Sequence, residues 1–232
     1  MPILRSTNHS RGMWQIVVTV LVVAFPSQAN AETGSSTEIG NQLSTSIPFV
    51  PKYVFPFSRL PVSYSNDHLD YPATDVDGCY AKILAPTSGI ITQSRRKDTW
   101  SPEIDEPGTR GGLTITLIGD DTVRYFFAHL GRVKVKTGQR VNPGDWIGVI
   151  GSSGNARVTR CHTHMGMSRV CPLAETLILQ GEIWPWKFLN AWREGIQLSP
   201  RKAKNRLIKQ NPTLCTDASN GYRANKSHRS GN

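Results

Sequence analysis

The sequence predicts a mainly β domain, an antiparallel β-sandwich or barrel-like sheet with short C-terminal helices. No apolar pattern of helical period extends over a useful length between residues 60 and 170. That region instead contains short apolar and β-branched runs, which are typical of strands. Turns that contain glycine or proline separate the runs at close spacing, as in sandwiches and barrels.

The predicted strands follow one another along the domain, each bounded by turn residues. They cover residues 81–85, 90–93, 113–118, 123–128, 133–135 and 146–150, with a last strand that begins near Cys161. Residues 94–112 are charged and contain prolines and glycines, which predicts a long surface loop of the kind that often carries function. Two short helices are predicted after the strands, at 173–180 and at 187–194, the second ending at Gly195.

Residues 1–31 have the three parts of a secretory signal peptide. Two arginines precede an apolar run at residues 14–25, and a small-residue A-x-A motif ends at Ala31. The apolar run is shorter than the about 20 residues that span a bilayer. We therefore expect cleavage, with no membrane span in the mature chain, rather than an uncleaved membrane anchor. Residues 32–50 are rich in serine, threonine and glycine, which predicts a flexible linker.

The formal net charge of +10 is concentrated at the C-terminus. Residues 201–232 carry eight basic and one acidic side chain, whereas residues 32–200 carry 17 basic and 16 acidic ones. A nearly neutral domain argues against nucleic-acid binding, which needs a basic surface. The segment 201–232 is predicted to be a basic, disordered tail. Such a tail suits anionic cell-wall polymers or membrane surfaces, and a merely solvated tail fits the composition equally well.

Four cysteines remain after signal cleavage, namely Cys79, Cys161, Cys171 and Cys215. An even number of cysteines in an exported chain predicts disulfide bonds. Of the three pairings that four cysteines allow, we favour Cys161–Cys171, which would close a short loop beside the last strand. Cys79–Cys215 would then tie the tail to the domain. A structural zinc site is disfavoured because no C-x-x-C spacing is present.

Four histidines lie in the predicted domain, namely His68, His129, His162 and His164. His162 and His164 alternate with apolar or small residues, so both side chains should project from one face of a strand. His129 stands at the end of a predicted strand, and His68 precedes the carboxylate of Asp75 just before the first predicted strand. Two histidines and a carboxylate, with an open position for water, are a common set of ligands for catalytic zinc.

These residues belong to an ordered pattern that includes glycine-spaced segments. The pattern consists of His68…Asp75, Ala85–Gly89, Tyr125–Leu130 (YFFAHL), the glycine-spaced stretch from Gly138 to Gly151, and His162-Thr163-His164. It resembles that of the lysostaphin-like zinc metallopeptidases, which have a duplicated-hybrid-motif β fold and cut the peptides of peptidoglycan. The resemblance runs from about Tyr53 to Gly195. A lone His-x-His would be a weak signal, whereas the ordered set is specific.

The resemblance implies that residues 51–200 form a zinc metallopeptidase-like domain with one Zn²⁺ per chain. Carried over by position, the metal ligands are His68, Asp75 and His164. The spacing from His68 to Asp75 is longer than the shortest form of the family motif. Asp70, or Asp67, therefore stays open as an alternative carboxylate ligand.

The resemblance also implies that His129 and His162 are the catalytic side chains beside the metal. One of them would act as general base for the metal-activated water. The other would stabilise the tetrahedral oxyanion or protonate the leaving amine. The sequence has no H-E-x-x-H segment, and this mechanism needs no catalytic glutamate.

The predicted function is that of a secreted or cell-wall-associated, monomeric zinc metalloendopeptidase that acts on peptidoglycan. The alternative is a non-catalytic cell-wall-binding or hydrolase-activating module on the same fold. A degenerate member would be expected to lack one or more site residues, and this chain has all five. That completeness favours catalysis, because the fold alone does not decide function.

Overall fold

Eleven β-strands in the described part of the chain form two antiparallel sheets. Two α-helices, and a short helical stretch at residues 214–218, lie near the C-terminus. The structure is a computed structural model. It describes residues 52–58, 60–68, 71–171 and 180–218. The chain separates into two units, residues 1–47 and 48–232, and the described residues belong to the second. The predicted signal peptide and linker, and all but the last residue of the helix predicted at 173–180, lie outside the described residues.

The sheets are built from short strands. The strands are β1 Phe57–Ser58, β2 Ser63–Tyr64, β3 Ala73–Asp77, β4 Lys82–Leu84, β5 Gly89–Arg95, β6 Thr114–Gly119, β7 Arg124–Ala128, β8 Leu130–Val133, β9 Arg140–Val141, β10 Trp146–Ile150 and β11 His162–Ser168. The helices are α1 Trp186–Arg193 and α2 Arg201–Gln210. One sheet has the order β1-β4-β10-β8, and the other has the order β2-β3-β11-β7-β6-β5-β9. The predicted fold class, mainly β with antiparallel sheets and short C-terminal helices, is therefore confirmed.

The hairpin of β6 and β7 shows how the alternating pattern produces the larger sheet. Its ladder pairs Ile115 with Phe127 and Leu117 with Tyr125, and all four side chains are fully buried. The residues between them on each strand project from the opposite face, since side chains alternate along a strand. One face of this sheet therefore contributes to the core, while the other is free to carry a site.

A single apolar core lies between the two sheets. Ile83 and Ile147 from the smaller sheet and Phe127 and Met165 from the larger sheet belong to one buried cluster. Burying side chains of this size contributes about 1.5–3 kcal/mol each. Met165 lies between His164 and Gly166 on β11, so its burial fixes which face of that strand is turned away from the core.

Helix α1 confirms the helix predicted at 187–194, beginning one residue earlier. Its buried residues include Phe188, Leu189 and Trp192. Trp192 stacks on Tyr53 with 5.3 Å between the ring centroids. The helix therefore holds the segment around Tyr53, which precedes β1, against the core.

Helix α2 lies within the segment predicted to be a disordered tail. Residues 201–210 are helical, and Lys204 is buried with its ammonium donating to the carbonyl oxygen of Thr122 at 3.3 Å. Leu207 packs against the core from the same helix. Apolar contacts on one helical face therefore order residues whose overall composition is basic and polar. Residues 219–232 lie outside the described part.

The predicted disulfide pairing is wrong. The bonds join Cys79 to Cys161 and Cys171 to Cys215. The β3–β11 ladder pairs His162 with Asp77. Cys161 directly precedes His162 and Cys79 follows Asp77 by two residues, so the two cysteines lie close together. Cys161 and Cys171 flank an extended strand from opposite ends, where a rise of about 3.3 Å per residue keeps them far apart.

A buried carboxylate, Asp121, lies in the turn between β6 and β7. It is fully buried and accepts hydrogen bonds from the hydroxyl of Tyr125 at 2.6 Å, the hydroxyl of Tyr53 at 3.0 Å and the backbone N–H of Val123 at 3.0 Å. Burial raises the pKa of Asp121 above its ordinary value, and these hydrogen bonds offset only part of that effect. The folded protein therefore binds this proton more tightly than the unfolded chain does.

Replacing Asp121 by asparagine should change the pH dependence of stability. Because the folded pKa is raised, the contribution of Asp121 to the free energy of unfolding is largest below the unfolded pKa of about 3.9 and decreases as the pH rises through the folded pKa. Urea unfolding of wild type and Asp121→Asn at a series of pH values measures the difference. We expect the stability advantage of wild type to shrink as the pH rises from about 4. A growing advantage would contradict the assignment.

Candidate metal centre and active site

Strand β11 presents two histidines on the face of the sheet away from the core. His162 and His164 alternate with Thr163 and Met165, and Thr163 and Met165 are fully buried in the domain. The alternation required by the pleat therefore places both imidazoles on the same face, as the sequence predicts.

Asp75 lies directly opposite His164. The carboxylate belongs to β3, and the β3–β11 ladder pairs the two residues. His164 Nδ1 is 3.0 Å from Asp75 Oδ1. Partial burial acts to raise the pKa of Asp75, but the hydrogen bond to His164 and the nearby histidines outweigh it, so the pKa lies below its ordinary value. Asp75 is therefore within a strand, rather than before the first strand as predicted from the sequence.

His68 completes a cluster of three possible metal ligands. One ligand atom from each of His68, Asp75 and His164 lies within 4.8 Å of the others. The centroid of the His68 ring is 5.1 Å from that of His164. Of the two alternative carboxylates, Asp67 is exposed and does not belong to this cluster of described residues, and Asp70 lies outside the described residues.

The residues of this cluster fit a metal ion. The donor set, two imidazole nitrogens and one carboxylate oxygen, is common in catalytic zinc sites. His68 Nδ1 is buried and has no hydrogen-bond partner among the residues that the structure describes. A buried polar nitrogen without a partner is unfavourable, and coordination of a cation in this cluster would remove that cost if this nitrogen were the ligand atom.

The second nitrogen of His164 is held by the backbone. His164 Nε2 is 3.3 Å from the carbonyl oxygen of Gln180, which can only accept a hydrogen bond. This contact holds a proton on Nε2. Nδ1, which donates to Asp75 in this structure, is therefore the nitrogen that would lose its proton to bind a metal. Gly166 allows the approach, because a Cβ at that position would collide with the Gln180 carbonyl. Tyr71 donates a hydrogen bond to the side-chain oxygen of Gln180 and holds the same segment.

His129 lies in the left-handed region of the backbone, between β7 and β8. Its φ is 60°, and its backbone N–H donates to the carbonyl oxygen of Gly111 at 2.8 Å. Its Nδ1 is 3.0 Å from the carbonyl oxygen of Ser153, so Nδ1 carries the proton and Nε2 does not. Burial lowers the pKa of His129 to about 4, so this ring is neutral near pH 7.

His162 lies beside His129, with 4.9 Å between the ring centroids. The Nδ1–H of His162 donates to the carbonyl oxygen of Arg160 at 2.8 Å. Both rings therefore have one nitrogen held by a backbone carbonyl and the other, Nε2, free to accept a proton. An oriented base next to a possible metal cluster can accept a proton from a metal-bound water.

The cluster and the histidine pair share one open groove of about 890 Å³. All five predicted site residues line it, so the structure brings these five side chains together. The groove also contains contributors that sequence reasoning missed, including Tyr71 and Gln180. Gly166 was a usable signal for Gln180, since a glycine within a strand often marks a close approach of another backbone segment.

Comparison with known protein families finds a match over most of the residues that line this groove. Residues 72–173 match the sequence profile of peptidase family M23. The chain is similar to this family over that range. The matched range includes Asp75, His129, His162 and His164, whereas His68 lies just before it. No curated protein matches the chain.

Solved structures of M23 peptidases and related proteins are similar to the chain at low sequence identity. The catalytic domain of lysostaphin from Staphylococcus simulans is 24% identical, with 56% of this chain and 92% of that chain covered and a TM-score of 0.42. A putative glycyl-glycine endopeptidase lytM from Ruminococcus gnavus is 19% identical, with coverages of 62% and 61% and a TM-score of 0.48. A putative peptidase M23 from Pseudomonas aeruginosa is 21% identical, with coverages of 60% and 51% and a TM-score of 0.43.

Removing one ligand of the His68, Asp75 and His164 cluster should abolish high-affinity zinc binding. We expect wild type to bind about one zinc ion per chain, and His164→Ala to lose at least about 100-fold in affinity because only two ligands remain. Asp67→Asn, which changes an exposed carboxylate outside the cluster, is the matched control and should bind zinc as wild type does. Elemental analysis and calorimetric titration measure both quantities. Zinc retained at full affinity by His164→Ala would show that the ligand assignment is wrong.

Proposed function

We propose that this chain is a secreted zinc endopeptidase that hydrolyses peptide bonds of peptidoglycan. The observation that carries the proposal is the position of the His129–His162 pair in the same groove as the cluster of His68, Asp75 and His164. The match of residues 72–173 to the profile of peptidase family M23 supports it. In this proposal the three clustered side chains hold one zinc ion, with Nδ1 of His164 turned toward Asp75.

The two catalytic histidines have different tasks in this proposal. A bound zinc ion supplies a Lewis acid and lowers the pKa of a coordinated water to about 7. His162 accepts a proton from the attacking water at Nε2 and passes it to the leaving amine. His129 is less suited as the base, because burial lowers its pKa to about 4. It presents a neutral Nε2 that accepts a hydrogen bond and orients the water or the substrate N–H.

Export is part of the proposal. The signal-peptide pattern of residues 1–31 and two disulfide bonds fit an oxidising compartment outside the cytoplasm. Within the described ranges, no helix is both long and apolar enough to cross a membrane. The basic segment 201–232 gives the exported chain a means of contacting anionic cell-wall polymers, and the exposed basic side chains of α2 belong to this segment.

Digestion of purified peptidoglycan tests the proposed activity. Zinc-loaded protein lacking residues 1–31 should release soluble peptides with new amino termini, and a chelator should stop the release. His162→Gln should lower the rate about 10²- to 10⁴-fold while zinc stays bound, since it removes a proton acceptor and no ligand. His228→Gln changes a histidine that follows the predicted domain of residues 51–200 in the sequence and should leave the rate unchanged.

The opposite result supports a different function. Zinc-loaded wild type that releases no peptide would overturn the endopeptidase proposal. Co-sedimentation of that protein with peptidoglycan would then favour the non-catalytic wall-binding module.

A further inference from the structure

The groove has a positively charged lining that the proposed chemistry does not use. Three arginines line it, namely Arg95, Arg110 and Arg160. Among the residues that the structure describes, Asp75 is the only acidic residue that lines it, and it is already assigned to the metal cluster. Arginines therefore outnumber carboxylates among the described residues of the lining.

Two of the three arginines are neutralised by neighbouring carboxylates. Arg110 forms a two-point salt bridge with Asp105, and Arg160 donates to Asp77 at 2.6 Å. Both pairs are solvent-exposed, and their arginines serve the local structure of the loops that border the groove.

Arg95 has no carboxylate partner within salt-bridge distance among the residues that the structure describes. Its Nη1 donates to the carbonyl oxygen of Gly108 at 2.6 Å, which fixes the guanidinium against the loop. A guanidinium has five N–H donors in a planar fork that matches a carboxylate. One anchored donor orients this fork, and the remaining charge is available to a ligand in the groove.

Arg95 lies in register with the metal cluster. The β3–β11 and β11–β7 ladders pair Asp75 with His164 and His164 with Ala128. The β6–β7 ladder, continued one residue past Ile115–Phe127, places Thr114 opposite Ala128, and Thr114 pairs with Arg95 on β5. Residues paired in this way project from the same face of a sheet.

The paired residues Asp75, His164, Ala128, Thr114 and Arg95 form a row across the sheet, and this row sets the distance between the metal cluster and Arg95. Three strand spacings separate His164 from Arg95, which is about 14 Å at 4.7–4.9 Å for each spacing. An extended peptide rises about 3.4 Å per residue, so about four residues of substrate would cover the same distance. A peptide that crosses the strands along the groove would reach both ends of the row.

We propose that Arg95 is a specificity-determining residue that binds a carboxylate of the substrate, about four residues from the scissile bond. The preferred substrate class is therefore an acidic peptide with a free carboxylate at that distance, rather than an uncharged peptide such as a glycine chain. This inference rests on the proposed endopeptidase function. The metal cluster alone does not select for the charge of the substrate, whereas Arg95 would favour a negatively charged one.

Paired peptides test the preference directly. The first peptide of each pair, cut from peptidoglycan or made synthetically, has one carboxylate four residues before or after the scissile bond. The second is the same peptide with that carboxylate converted to a carboxamide. We expect wild type to cleave one carboxylate peptide with a kcat/KM about tenfold above its carboxamide counterpart, as for a charge-assisted hydrogen bond at a partly exposed site. Arg95→Gln should abolish the difference, and Arg95→Lys should retain part of it.

Controls separate recognition from structure. Arg96→Gln changes the neighbouring exposed arginine, which does not line the groove, and should keep the full preference. Loss of the Gly108 contact alone would lower cleavage of both members of a pair alike, whereas loss of a carboxylate site lowers only one. Equal cleavage of both members by wild type would overturn the proposal.

The two proposals fail in different ways. If the zinc-loaded protein cleaves no peptide, the endopeptidase function fails, and calorimetric titration with the same peptides then tests Arg95. Tighter binding of the carboxylate peptide, lost in Arg95→Gln, would uphold the carboxylate site. Equal affinity for both peptides would reject it.

Discussion

The pairing of β3 with β11 is the constraint on which the site depends. It sets Asp75 directly opposite His164, with His164 Nδ1 3.0 Å from Asp75 Oδ1. A shift of register by one residue would turn the alternating side chains of β11 to the wrong faces, burying the histidines and exposing Met165 and Met167. The core therefore enforces the register, and the register aligns the ligands.

The covalent and backbone contacts around β11 reinforce this arrangement from both ends. The Cys79–Cys161 bond joins the chain beyond β3 to the residue that precedes His162. Further along the strand, Gly166 lets the Gln180 carbonyl reach His164 Nε2. Side chains that these contacts already orient lose less conformational entropy on binding a metal than free side chains would.

Much of the fold and the site could be predicted from sequence, because the periodic signals are strong. Alternation in β6, β7 and β11 predicted a sheet with His162 and His164 on one face, and the structure places both there. Strand β3 escaped detection because its sequence, ATDVD, is short and largely polar, and its burial depends on partners distant in sequence.

The remaining features depend on contacts that local patterns do not contain. The disulfide prediction failed because it assumed that sequence proximity places Cys161 near Cys171, whereas the extended β11 separates them. The sequence did not predict helix α2, because its composition is mostly basic and the packing of Leu207 against the core cannot be recognised from that composition. The significance of Arg95 emerges only when four ladders are followed across the larger sheet.

Zinc-edge anomalous diffraction from crystals of the zinc-loaded protein tests the central claim most directly. We predict one strong anomalous peak bounded by His68, Asp75 and His164, in the groove that His129 and His162 also line. A peak elsewhere in the domain, or no zinc bound to protein that folds with its β3–β11 ladder intact, would contradict it.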